Sequence, residues 1–186
     1  MQEKSIYKGR AEKSDIQARI AAERKRRKDI GLIVILLVVL LSGAIFYKFL
    51  VSPIMEKTKY DRFVNEFTES INHSKTNGGI TVSMTEGEYT LEAYSGSYVY
   101  DTVISCGMGV PYDKDMEGDL VTLSFPNGAK LVFGEGDVEQ GIRKGKKGLV
   151  IHFVDVESRE YQYIYDVGKF ATTRRFFVDA LIYGGW

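Results

Sequence analysis

Residues Ile30 to Tyr47, IGLIVILLVVLLSGAIFY, are 18 consecutive residues without a charge, and Arg24-Lys25-Arg26-Arg27-Lys28 stands just ahead of them. An α-helix rises about 1.5 Å per residue, so this run reaches about 27 Å, and the 22 residues through Val51 reach about 33 Å. The hydrocarbon core of a bilayer is about 30 Å thick. Lys48 does not break the span, because a lysine near a helix end extends its ammonium to the headgroups. A core helix of a soluble protein keeps a polar face, and this run has none. Residues 30–51 therefore read as a transmembrane helix.

A cleaved signal peptide is the competing reading. Its apolar stretch is about 7–15 residues long and ends at a small-residue cleavage site. Here the stretch is longer, and bulky Ile45-Phe46-Tyr47-Lys48-Phe49 closes it. Ser42-Gly43-Ala44, the nearest small triplet, lies inside the run. The pattern favours a retained anchor.

Orientation follows from the basic residues near the span. Residues 1–29 hold ten Lys and Arg, whereas residues 48–66 hold four. The expectation is a cytoplasmic N-terminus and a translocated C-terminus in the cell membrane. The zero net charge of the chain conceals an asymmetry. Residues 1–29 carry ten basic and five acidic groups, net +5, and residues 52–186 carry 14 basic and 20 acidic, net −6. An acidic outer domain argues against nucleic acid as a partner. The cluster Arg24, Lys25, Arg26, Arg27 and Lys28 is expected to meet anionic lipid headgroups. Ser14 with Gln17 makes a capping box, and Asp15→Arg19 and Glu23→Arg27 are i,i+4 pairs, so a helix is expected over 15–29. Residues 1–13 lack periodicity and read as disordered.

Residues 52–186 suffice for one domain with its own core. Pro53 suits the exit from the membrane helix. Tyr60, Phe63, Val64, Phe67 and Ile71 recur at three and four, which predicts an amphipathic helix ended by Asn77-Gly78-Gly79. Strands are expected at Ile80–Met84, Glu88–Tyr94, Tyr98–Ser105, Leu120–Phe125, Lys130–Phe133, Leu149–Asp155 and Tyr161–Asp166, rich in Val, Ile, Thr, Tyr and Phe. Phe125-Pro126-Asn127-Gly128-Ala129 is the best hairpin signal. A helix capped by Thr172 or Thr173 is expected to run through Tyr183. The fold class read from this order is α+β: an N-terminal transmembrane helix, then an antiparallel meander of six or seven strands flanked by an N-terminal and a C-terminal helix.

Few residues suggest chemistry. Cys106 is the single cysteine, so no internal disulfide is possible. A nucleophilic thiol needs a base, and His73 and His152 are the two histidines. An anchored enzyme using Cys106 with a histidine is the alternative to a binding domain. One Cys and two His lack zinc-ligand spacing. Asp113-Lys114-Asp115-Met116-Glu117-Gly118-Asp119 resembles the start of a calcium loop, but position 12 is Ser124 and a strand follows, so no metal is expected. No cofactor motif occurs.

Two surface features suggest recognition. Arg143, Lys144, Lys146 and Lys147 form a basic turn on an acidic domain. Tyr161, Tyr163 and Tyr165 share one strand face, as do Tyr98 and Tyr100, and an exposed row would stack on a partner. The reading is a membrane-anchored, non-enzymatic protein that binds or scaffolds a protein partner in an envelope assembly such as secretion, conjugation or division machinery.

Overall fold

A computed structural model describes the backbone of residues 3–91, 96–139, 144–166 and 170–183. The chain divides into two compact units, 1–54 and 55–186.

The first unit is helical. Helix α1 spans Glu3–Phe46 and passes into a five-residue π-helical turn, Tyr47–Val51. The helix begins well ahead of Ser14, so the expected cap there is not a start. Residues 1–13 were expected to be disordered, and helix covers them from Glu3. Lys, Glu, Arg and Ala are good helix formers, and extending an existing helix adds one bond per residue fixed. The widened turn precedes Pro53, whose ring would meet the carbonyl of Phe49 in a regular helix. Pro53 therefore does not end the helical path: α2, Ser52–Ser74, contains it. Every large apolar side chain from Ile30 to Leu50 is between 50% and 70% exposed. Ser42 returns its hydroxyl to the Val38 carbonyl at 2.6 Å, which satisfies it within the helix. Among the described residues, one helix is long and apolar enough to cross a membrane, and it contains this stretch.

The second unit is α+β. Its strands are β1 Ile80–Met84, β2 Gly87–Leu91, β3 Val110–Pro111, β4 Glu117–Ser124, β5 Lys130–Asp137, β6 Lys147–Val154 and β7 Glu160–Tyr165. They form one seven-stranded antiparallel sheet in the order β2-β1-β4-β5-β6-β7-β3. The meander holds from β4 to β7, while β1 pairs with β4 across an insertion, Thr81 facing Ser124. That insertion contains helix α3, Gly96–Ile104, where a strand over Tyr98–Ser105 was expected. Strand propensity is a weak preference that packing overrides. Val99 and Val103, four apart, are both fully buried on the helix, and Tyr98 stacks on Phe176 with ring centroids 3.7 Å apart. Strand β2 ends at Leu91, and the rest of its expected length, 92–94, lies outside the described residues.

One sheet face carries the core. Alternation places Leu149, Ile151 and Phe153 of β6 on it, against Phe63, Phe67 and Ile71 of α2 and Phe177 of α4, Phe170–Tyr183. Phe63 alone lies 5.4–6.0 Å from the rings of Phe67, Phe153, Tyr161 and Tyr163. Burying each such ring contributes about 1.5–3 kcal/mol. Helix α2 closes as expected, with Gly79 N–H on the Ser74 carbonyl at 3.0 Å and positive φ at Gly78 and Gly79. The Asn-Gly hairpin joins β4 to β5: Phe125 N–H meets the Ala129 carbonyl at 2.9 Å, and Gly128 has φ 93°. Asn127 Nδ2 also donates to Ser70 Oγ at 3.0 Å, tying the turn to α2.

A second tie fastens α2 to the β6–β7 turn. Asp155, 3% exposed, accepts from the backbone N–H of Glu157 and of Arg159, each at 2.9 Å, and from Arg159 Nε at 2.6 Å. Arg159 Nη2 then reaches Glu66 of α2 at 2.9 Å. Burial pushes the Asp155 carboxyl up, but these N–H groups and the guanidinium outweigh it and hold the carboxyl below the usual range.

Candidate functional surface

The tyrosine row is not a surface. Tyr161, Tyr163 and Tyr165 are 7%, 4% and 2% exposed and face α2, so the expected contact row is core. The same alternation that puts three rings on one face puts them on the face the helices cover. Burial pushes the Tyr163 hydroxyl up to about 12. Tyr98 and Tyr100 sit on α3, and Tyr100 stacks on Phe67 at 6.1 Å.

The basic turn is divided. Lys144 and Lys146 are exposed. Lys147 opens β6 and is held between Glu117 at 2.5 Å and Asp137 at 3.0 Å. Those carboxylates raise its pKa above the ordinary lysine value. Lys147 thus joins strand ends instead of offering a contact, and Arg143 lies outside the described residues.

The thiol and the histidines occupy different places. Cys106 packs beside the helix-covered core, and its Sγ–H donates to the Thr102 carbonyl at 3.2 Å. His152 lies between Ile151 and Phe153 on β6 and so points to the other sheet face, 3.5 Å from Glu160. His73 is exposed in the last turn of α2.

The acidic segment 113–119 does not gather its oxygens. Glu117 turns to Lys147 and Asp119 to Arg174 at 3.3 Å, while Lys114 pairs with Glu139. Among the described residues, no group of three or more His, Cys, Asp or Glu is placed to hold a metal ion.

The feature that sequence reading missed is on the face opposite the helices. After β3 the chain crosses the sheet as a strap, residues 112–116. Tyr112 N–H bonds the Gln162 carbonyl at 3.1 Å, and Gln162 Nε2 donates to the Lys114 carbonyl at 2.6 Å. Tyr112 and Met116 then pack on Val138, Val150 and Ile164. Two glycines of β5 make the room. A Cβ on Gly136 would lie 2.5 Å from the Tyr112 hydroxyl, and one on Gly134 would lie 2.9 Å from Met116 Cβ. The pair Gly134 and Gly136 in a strand was the available signal, since strand glycines mark close approach. The strap leaves a cleft of about 120 Å³ floored by Val110, Val138 and Ile164, and a wider polar basin of about 570 Å³ that includes His152, Glu160 and Gln162. Val110 is 53% exposed, and Met108, two residues before it in the chain, is 49% exposed. The cleft and the basin both lie at the β3 edge of the sheet.

The fold is a helix able to span a membrane followed by an α+β domain. Comparison with protein-family models, curated proteins and solved structures finds no match for the chain.

Proposed function

We propose that the chain is a single-pass protein of the cell membrane, with residues 1–29 cytoplasmic, 30–51 in the bilayer and 52–186 outside. One observation carries the anchor: the apolar side chains from Ile30 to Leu50 are uncovered, at 50% to 70% exposure. At about 25 cal/mol per Å² of apolar surface, water is a costly neighbour for such a helix, and lipid is not. The excess of basic residues in 1–29 supports the orientation.

The domain acts by binding a protein partner in an envelope assembly, such as secretion, conjugation or division machinery, and not by catalysis. Its contact surface is the β3 edge, where Met108 and Val110 are exposed and apolar and the next residue, Pro111, lines the polar basin, with Lys144 and Lys146 as a separate electrostatic contact. An apolar centre with a polar margin is the usual anatomy of an interface.

Protease added to spheroplasts tests the orientation. A C-terminal tag is digested and an N-terminal tag survives; the reverse pattern overturns it. For the surface, a photo-crosslinker at Val110 captures a discrete partner in intact membranes, and one at Thr122 does not. Equal capture at both positions sinks the assignment of the β3 edge.

A further inference from the structure

Helix α1 continues without interruption through the basic cluster into the apolar run. Arg24, Lys25, Arg26, Arg27 and Lys28 therefore obey helical geometry, and all five are exposed. Successive residues turn by about 100°, so five in a row surround the helix within an axial rise of about 6 Å. Arg27 meets Glu23 at 3.2 Å, yet both ends stay largely in solvent, at 80% and 66% exposure. The result is a collar of charge with no preferred side.

A partner protein that takes a helix in a groove engages one face of it. A collar suits a phase that surrounds the helix at one level. The phosphate layer of a bilayer is such a phase, and the collar ends two residues before Ile30, where the uncovered apolar surface begins. Resting on the membrane-spanning reading of 30–51, we propose that residues 24–28 form a cationic collar that recruits anionic phospholipids around the helix through their headgroup phosphates. The attraction comes from net headgroup charge, so it weakens as salt screens it.

The test uses the full chain in liposomes of identical leaflets, which makes insertion direction irrelevant. Phosphatidylcholine vesicles contain a minor fraction of phosphatidylglycerol, and energy transfer is read from a dye beside the collar to labelled phosphatidylglycerol or labelled phosphatidylcholine. The expected result is about threefold or greater local enrichment of phosphatidylglycerol at low salt, falling as salt is raised. A chain with Arg24→Gln, Lys25→Gln, Arg26→Gln, Arg27→Gln and Lys28→Gln loses the enrichment but still resists alkaline extraction from the vesicles. A second chain, with Arg24→Lys, Arg26→Lys and Arg27→Lys, keeps it, because charge and not guanidinium geometry is responsible.

Equal transfer to both lipids at low salt, or enrichment that survives in the glutamine chain, overturns the collar. Preferential binding of a short nucleic-acid duplex over the anionic vesicles does so as well. If the wild-type chain is itself stripped by alkaline extraction, the membrane reading fails instead, and the two failures are told apart.

Discussion

Replacing Tyr165 by phenylalanine separates two parts of one side chain that the structure treats differently. The ring is core: the residue is 2% exposed, and a Cβ on Gly109 would lie 2.9 Å from its Cζ. The hydroxyl is buried and, among the described residues, has no hydrogen-bond partner. Tyr60 lies near enough to act on it through charge and a weak side-chain hydrogen bond, but short of full hydrogen-bond geometry, and Tyr60 gives its own proton to the Gly107 carbonyl at 2.6 Å. Burial pushes the Tyr165 phenol far above its ordinary value, so it stays neutral. A buried polar group without a partner costs about 1–3 kcal/mol. Tyr165→Phe removes that cost with almost no change in volume, so it is expected to be neutral or to stabilise by up to about 2 kcal/mol. Tyr165→Ala removes the ring as well and is expected to cost about 3–5 kcal/mol. Urea unfolding of residues 52–186, followed by far-ultraviolet circular dichroism, reads both. With m of about 1–3 kcal/mol per molar, a gain of about 1 kcal/mol moves the midpoint up by several tenths molar. A loss above about 1 kcal/mol in the phenylalanine variant would refute the reasoning, since the hydroxyl would then be bonded through Tyr60 or a trapped water. A double-mutant cycle with Tyr60→Phe would show which of the two it is.

Asp155→Asn is expected to cost about 1.5–3 kcal/mol in chemical denaturation near neutral pH, because its carboxylate accepts charge-assisted bonds in a buried turn. The folded carboxyl lies below its ordinary value, so its stabilising effect is complete above about pH 4 and fades as pH falls through the folded value; the gap between wild type and variant should close there. Gly136→Ala is expected to cost about 1–3 kcal/mol, because the new methyl meets Tyr112 and Val150, and limited proteolysis should find cleavage within residues 112–116 sooner than in wild type. Burial raises the phenols of Tyr60, Tyr89, Tyr161, Tyr163 and Tyr165, that of Tyr163 to about 12 from 10.0. The unfolded chain releases those five protons first, so stability should fall as pH rises from about 10 to about 12, and an absorbance titration should show the last tyrosinates appearing together with unfolding. Complete ionisation of all the tyrosines while the fold persists would contradict that placement.

Features that depend on local order along the chain were legible before any folded context was known. The 18 uncharged residues from Ile30 need no folded context to be recognised, because a helix across a bilayer satisfies its own backbone and leaves its side chains to the lipid. The spacing of Phe63, Phe67 and Ile71 dictated α2, and Asn127-Gly128 dictated the hairpin, since each depends on a periodicity or a φ angle that a few neighbours set. Tertiary structure decided what depends on distant segments. Tyr98 and Tyr100 alternate as a strand would, yet burial of Val99 and Val103 on one helical face won over that weak preference. The row Tyr161, Tyr163 and Tyr165 was visible as a row, but whether it met solvent or helices depended on where α2 lay. Lys147 looked like a free cation until Glu117, thirty residues earlier, closed on it. The strap over Gly134 and Gly136 was equally hidden, because glycine shows where backbone can approach and not which segment does. Alternation assigns a residue to a face. Only the packing of elements far apart in the chain decides which face is covered.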